Sequence, residues 1–212
     1  MENTSAHILS SEARSADARR RGRSLEYLTI GWNSLEAIAA LGAGFLAGSI
    51  ALVGFGFDSV IESLSGAVLL WRLFAGEERE RLALRLVGAS FLILAAYIGF
   101  DAVKSLVLSE PPEASYLGIA IAALSLVVMP VLARAKRRVA ASLNSRAMLA
   151  DSRQTDICAY LSAILLGGLV LNALFGWWWA DPAAALVMLP IIVKEGIEGL
   201  RGETCCDGGS CH

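Results

Sequence analysis

The chain has 212 residues, of which 56% are hydrophobic and 18% are charged, and its mean hydropathy is +0.58. This composition is too apolar for an ordinary soluble domain. The formal net charge of −2 identifies no partner by itself, because the distribution of the charges matters more. We expect membrane lipid around the chain and no nucleic-acid partner.

Six apolar stretches follow one another along the chain, each about as long as the roughly 20 residues that a membrane-spanning helix needs. They predict an all-α membrane protein, a bundle of six transmembrane helices. We expect a disordered cytoplasmic arm over residues 1–25, a transmembrane domain over 26–201 and a cytoplasmic tail over 202–212. The predicted helices cover residues 27–48, 50–74, 82–107, 115–134, 145–175 and 178–200.

Basic residues indicate which side of the membrane each connection faces. They gather in the arm, between helices 2 and 3 and between helices 4 and 5, while the opposite connections are nearly free of them. The positive-inside rule therefore predicts that both termini are cytoplasmic, in agreement with six spans, and we expect a bacterial cytoplasmic membrane. The basic residues are Arg14, Arg19, Arg20, Arg21, Arg23, Arg72, Arg79, Arg81, Arg85, Arg134, Lys136, Arg137, Arg138 and Arg146.

Predicted helix 2 contains two carboxylates, Asp58 and Glu62, in an otherwise apolar stretch. A spacing of four residues places both on one face of a helix. An acidic side chain at the bilayer centre costs at least about 2.5 kcal/mol, so a cation, a proton or a cationic side chain must compensate for them.

Predicted helix 5 contains a second polar cluster, in which Asp151, Gln154 and Cys158 share one face. Helices 2 and 5 run in opposite directions, so Asp58 should lie level with Cys158, and Glu62 with Gln154. Carboxylate, amide oxygen and thiolate together suit a borderline cation such as zinc better than magnesium or calcium.

Simpler interpretations of these residues stay open. Asp58 and Glu62 could form a buried salt bridge with a basic residue of another helix, and Arg153 is the basic residue that lies furthest inside a later span. It lies near the cytoplasmic end, however, and cannot easily neutralise two acids at different depths. Asp151 could instead flank or cap helix 5. Asp156 points away from Gln154, with Arg153 as a local partner.

Other polar residues have weaker interpretations. Asn33 and Glu36 in helix 1 could line an aqueous inner vestibule, or Glu36 could pair with a basic loop residue. The sequence Asp181-Pro182 is typical of an N-cap followed by proline at the first position of helix 6. The tail could chelate a soft or borderline metal, or be unstructured. Its candidate ligands are Cys205, Cys206, Cys211 and His212.

Several of these stretches resemble the cation diffusion facilitator, or cation efflux, family. Residues 48–52 (GSIAL) leading into 58–62 (DSVIE) resemble its second helix, and residues 145–151 (SRAMLAD) resemble the start of its fifth. Residues 181–186 (DPAAAL) through 194–196 (KEG) are similar to its sixth. The resemblance covers residues 26–200 and implies six helices, usually in a homodimer, that export zinc or related divalent ions in exchange for protons.

The chain departs from the family pattern in an informative way. The family usually has Asp-xxx-Asp in helix 2 and His-xxx-Asp in helix 5, where this sequence has Asp58 and Glu62, then Gln154 and Cys158. Four potential ligands remain, with less fixed negative charge. The chain also stops soon after helix 6, so we expect a short form without the family's usual cytoplasmic carboxy-terminal domain.

These observations predict a secondary-active exporter of a divalent metal cation, zinc above others, that works by metal/proton antiport and alternating access. We expect no enzymatic activity and no cofactor beyond the transported metal. The alternative is a membrane protein that binds or senses metal without transporting it. An intramembrane metallohydrolase is disfavoured because the spans contain no histidine, which catalytic zinc sites usually use.

Overall fold

A computed structural model describes residues 2–75, 80–109, 112–143 and 146–201, and every regular element in these ranges is an α-helix. The all-α prediction is therefore confirmed for this part of the chain, while the tail with Cys205, Cys206, Cys211 and His212 lies outside it. The helices are α1 (Glu2–Ala47), α2 (Ile50–Ala75), α3 (Glu80–Leu108), α4 (Tyr116–Leu143), α5 (Arg146–Phe175) and α6 (Ala180–Arg201).

Five of these six helices contain a stretch long and apolar enough to cross a membrane. The exception is α6, which has Asp181 at its start and Lys194, Glu195 and Glu198 in its second half. Large apolar side chains of the other helices project outward from the bundle, as a lipid-facing surface requires. Ile38, Leu46 and Ile93 are examples and are 72–86% exposed.

The first helix is longer than predicted, because the arm expected to be disordered is helical from Glu2 onward. Residues 2–21 contain neither glycine nor proline, so nothing in their sequence interrupts a helix. Asp17 and Arg21 also form an i,i+4 ion pair at 2.9 Å. The boundary proposed at residue 25 is therefore not a break in the backbone.

Helices α1 and α2 form a close antiparallel hairpin around Gly48, whose φ of +66° is a left-handed conformation suited to glycine. A Cβ added at Gly44 would lie 2.8 Å from Val53, and one added at Gly56 would lie 2.8 Å from Leu41. These contacts fix the register of the hairpin. In the second half of α1, each residue therefore lies level with the α2 residue at a similar distance from the turn.

Asp181 holds the start of α2, which differs from its predicted role as the N-cap of α6. Its carboxylate accepts hydrogen bonds from the Ser49 hydroxyl, from the Ile50 N–H at 2.9 Å and from the Ala51 N–H at 3.4 Å. Helix α6 begins at Ala180, one residue before Asp181, so Asp181 lies inside the helix. Its buried carboxylate is directed at the neighbouring helix α2. It thus satisfies free backbone donors at the start of the helix that carries Asp58 and Glu62.

Candidate metal centre

The two carboxylates of α2 lie about halfway along a membrane span. At about 1.5 Å per residue, Asp58 and Glu62 are about 12 Å and 18 Å from the start of α2 at Ile50, and the middle of a bilayer core of about 30 Å lies between them. Both side chains are buried, at 5% and 2% exposure. Neither acid faces lipid.

Cys158 of α5 completes a cluster with these two acids. One carboxylate oxygen of Asp58, one of Glu62 and the sulfur of Cys158 all lie within 4.8 Å of one another. Ligand atoms around a tetrahedral zinc ion are about 3.3–3.8 Å apart, from the usual zinc–oxygen and zinc–sulfur bond lengths. A small movement of the side chains would therefore bring these three atoms onto one ion.

The neighbour of Glu62 on α5 is Thr155. The Thr155 hydroxyl donates a 2.9 Å hydrogen bond to Glu62 Oε1, while Glu62 Oε2 is buried without a hydrogen-bond partner among the described residues. Gln154, which was expected level with Glu62, accepts a 3.0 Å hydrogen bond from Ser65, one turn further along α2. Thr155 thus orients the carboxylate and leaves its second oxygen available to a cation.

Asp151 belongs to a buried ion-pair cluster in this structure. The Lys136 ammonium lies 2.5 Å from Asp151 Oδ2 and 3.3 Å from Glu26 Oε2, so residues of α1, α4 and α5 meet at one positive charge. Lys136 and Glu26 have no exposed side-chain surface. That Asp151 binds the metal ion remains a prediction. In this structure its carboxylate is paired with Lys136.

The Lys136 ammonium is also connected to the metal cluster through the Thr155 hydroxyl. It donates to the Thr155 hydroxyl at 3.4 Å, and that hydroxyl donates to Glu62. A continuous polar path therefore runs from the ion-pair cluster to the candidate ligands. Lys136 is fully buried, whereas Arg153 is only partly buried. Lys136 belongs to a helix because α4 continues to Leu143, beyond the predicted end at residue 134.

The structure differs from the sequence prediction in a second basic residue. Asp156 forms an ion pair with Arg137, whereas Arg153 was its predicted partner. This pair is partly exposed, with Arg137 at 40% and Asp156 at 29%. Asp156 therefore lies outside the metal cluster, as its position on the helix indicated.

Asn33 and Glu36 are fully enclosed, at 0% and 1% exposure. Both amide atoms of Asn33 and both carboxylate oxygens of Glu36 have no hydrogen-bond partner among the described residues. Within the described residues, Glu36 does not pair with a basic loop residue, which was the alternative interpretation. The vestibule interpretation stays a prediction.

Sequence reasoning missed Thr155 and Lys136, although a signal existed for each. Asp151, Thr155 and Cys158 share a helix face as well as Asp151, Gln154 and Cys158 do. Lys136 is three or four residues from Leu132, Ala133, Val139 and Ala140, all buried, so it lies on the apolar stripe of α4.

The chain belongs to the cation efflux family. It matches the cation efflux transmembrane domain over residues 27–202, most of its length. Together with the apolar helices, this match identifies an integral membrane protein of a family of transporters.

Three relatives illustrate this membership. The chain is 31% identical to an uncharacterised transporter of Synechocystis over 79% of its own length and 58% of the relative's. It is 26% identical to transmembrane protein 163 of Xenopus laevis, covering 85% of this chain and 66% of that protein. It is also 26% identical to a cadmium, cobalt and zinc/H⁺–K⁺ antiporter of Bacillus velezensis, covering 78% and 55%. The chain thus spans less than two thirds of each relative.

Proposed function

We propose that the chain is a secondary-active exporter of a divalent metal cation, with zinc as the preferred ion and protons as the counter-ions. The observation that carries this proposal is the buried convergence of Asp58, Glu62 and Cys158 halfway across the bundle. Its support from the comparisons is membership of the cation efflux family and the name of the Bacillus velezensis antiporter.

The ligand chemistry favours zinc or a related borderline ion. Two carboxylates and one thiolate supply oxygen and sulfur, whereas magnesium and calcium prefer oxygen alone. Three protein ligands leave a fourth position for water or for the Gln154 amide, which would first have to leave Ser65. A site that is incomplete in one conformation suits an ion that must also leave.

Proton coupling follows from the same ligands. Carboxylates and thiols must be deprotonated to bind a metal ion, so protons and metal compete for the site. In the cycle we propose, the inward-facing site binds the metal, and protons displace it when the site opens outward. The protonated acids then return without a metal ion.

We place both termini in the cytoplasm and count α6 as the sixth span of a bundle in a bacterial cytoplasmic membrane. Lys136 no longer counts toward the positive-inside rule, because it is buried. The arginines of the same connections, including Arg79, Arg81 and Arg138, still support this orientation.

Zinc flux into proteoliposomes tests the proposal. Vesicles with an acidic interior and a trapped zinc-sensitive dye should take up zinc in exchange for protons, with alkalinisation of the lumen. Asp58→Asn and Glu62→Gln should slow this flux at least about ten-fold, while Asp156→Asn, which removes an acid of α5 outside the cluster, should not. Undiminished flux in both site variants would exclude the proposal. Zinc binding without flux in the wild type would favour the binding or sensing alternative.

A further inference from the structure

A second polar cluster lies beside the metal site and is built from oxygen and nitrogen atoms alone. In α1, Asn33 and Glu36 are three residues apart and therefore on one face. In α4, the hydroxyl of Ser125 is buried at 0% exposure and has no hydrogen-bond partner among the described residues. The same holds for all four polar side-chain atoms of Asn33 and Glu36.

The packing of α1 and α4 brings these residues together. Lys136 of α4 contacts Glu26 of α1, and the two helices run in opposite directions. Ser125 lies eleven residues before Lys136, and Glu36 lies ten residues after Glu26. Because the helices are antiparallel, Ser125 and Glu36 are at the same level. Two donors, the Ser125 hydroxyl and the Trp32 indole N–H, lie beside the Glu36 carboxylate, and neither completes a hydrogen bond to it.

This cluster is separate from the metal ligands but close to them. The register of the α1–α2 hairpin places Glu36 level with the α2 residues just before Glu62. Ser59, which follows Asp58, lies beside the Glu36 carboxylate. The Ser59 hydroxyl, however, donates to the Phe55 carbonyl at 3.1 Å and stays in its own helix.

A buried carboxylate with two unpaired oxygens is costly, and a buried amide with no partner adds to the cost. The neighbouring charges make the need for a cation greater. Five buried carboxylates surround this region, and Lys136 supplies one positive charge among the described side chains. A divalent ion on the metal site would lie against Asp58, Glu62 and Cys158, and Lys136 contacts Glu26 and Asp151, so Glu36 is the one of the five with no cation beside it among the described residues. The five are Glu26, Glu36, Asp58, Glu62 and Asp151.

From this geometry we infer a second cation site, in which Glu36, Asn33 and Ser125 bind one alkali metal ion, sodium or potassium. The Glu36 carboxylate, the Asn33 amide carbonyl and the Ser125 hydroxyl would each bind the ion through oxygen, so a hard cation suits them. A single carboxylate with a neutral amide and a neutral hydroxyl balances one positive charge. Calcium and magnesium carry a second positive charge that this single carboxylate does not balance, and magnesium also demands octahedral geometry and keeps several waters. This inference goes beyond the proposed zinc export and stands or falls separately from it.

Direct binding of radioactive sodium and rubidium, the latter as a potassium tracer, tests the site. The full chain in detergent is freed of zinc with a chelator, and choline chloride keeps the ionic strength constant. We expect one tracer to bind saturably, near one ion per chain. Glu36→Gln should weaken this binding at least about ten-fold, and Asp58→Asn should change it by less than about three-fold. The tracer that binds identifies the ion.

Three results would overturn the inference: no saturable binding of either tracer, full binding in Glu36→Gln, or an equal loss in Asp58→Asn. The last result would place the alkali ion on the metal site. If Glu36→Gln does not fold, Ser125→Ala serves in its place and should weaken binding several-fold, and unchanged binding there would count against the site. Zinc binding measured on the same samples separates the two proposals, since it should be lost in Asp58→Asn and kept in Glu36→Gln.

Discussion

The Lys136 ammonium and the Asp151 carboxylate form an ion pair at 2.5 Å inside the bundle, where neither side chain is more than 6% exposed. The pair connects α4 to α5, and Glu26 extends it to α1. Because Lys136 also donates to Thr155, this structural cluster and the candidate metal ligands belong to one polar network.

Replacing Lys136 should strongly destabilise the protein. Lys136→Met would leave Glu26 and Asp151 as buried acids without their counter-charge, at a cost of about 3–5 kcal/mol. The matched control is Arg137→Gln, which removes the neighbouring but partly exposed pair with Asp156 and should cost at most about 1 kcal/mol. Unfolding of the two variants in the same detergent measures the difference. Equal stabilities would show that the buried pair contributes no more than the exposed one.

The Thr155 hydroxyl should matter for metal affinity although it is not a proposed ligand. Thr155→Val removes the hydrogen bond to Glu62 and should weaken zinc binding by about ten-fold or more, the range found for groups that orient metal ligands. Thr155→Ser keeps the hydroxyl and should bind nearly as well as the wild type. Titration with a competing zinc chelator measures both.

Ser65→Ala is a control for that experiment, because Ser65 is hydrogen-bonded to Gln154 rather than to Glu62. We expect a change in zinc affinity of less than about three-fold. A larger loss in Ser65→Ala than in Thr155→Val would indicate that Gln154, not Thr155, decides how the site is arranged.

Asp181 should stabilise α2 from outside its own helix. Asp181→Ala removes the acceptor of the Ile50 and Ala51 N–H groups and should destabilise the protein by about 1–2 kcal/mol, as the loss of an N-cap does. Asp181→Asn keeps an acceptor oxygen and should lose less. Thermal unfolding compares the two, and a stability equal to the wild type in Asp181→Ala would exclude the capping role.

The orientation of the chain can be tested with its own cysteines. Cys205, Cys206 and Cys211 lie in the tail, whereas Cys158 is buried. A membrane-impermeant maleimide should label the tail in inside-out vesicles and leave it unlabelled in intact cells. Labelling in intact cells would place the tail outside and reverse the proposed topology.

The order of the helices and the grouping of three candidate ligands could be predicted from the sequence, whereas the helical arm at the start of α1 and the end of α4 could not. Asp58, Glu62 and Cys158 could be grouped because helical spacing and the alternating direction of successive spans determine depth. Depth does not determine rotation, and a shift of one residue turns a helical side chain by about 100°. This is why Thr155, and not the adjacent Gln154, meets Glu62.

Two other contacts depended on the neighbouring helices. A run of basic residues is normally cytoplasmic, and only the packing of α1 and α5 around α4 shows that Lys136 turns inward while Arg137 does not. Similarly, the residues Asp181-Pro182 have the pattern of a helix start, but that pattern cannot indicate which helix the carboxylate caps.

X-ray absorption at the zinc edge tests the central claim most directly. The sample is the full chain with the three tail cysteines replaced by serine. Cys158 is then the sole cysteine that can supply a sulfur ligand to the zinc ion. If Asp58, Glu62 and Cys158 bind the ion, the spectrum will show one sulfur at about 2.3 Å and oxygens at about 2.0–2.2 Å. Cys158→Ser will then remove the sulfur signal. A bound zinc ion without sulfur, or with a sulfur that survives Cys158→Ser, would contradict the proposed site.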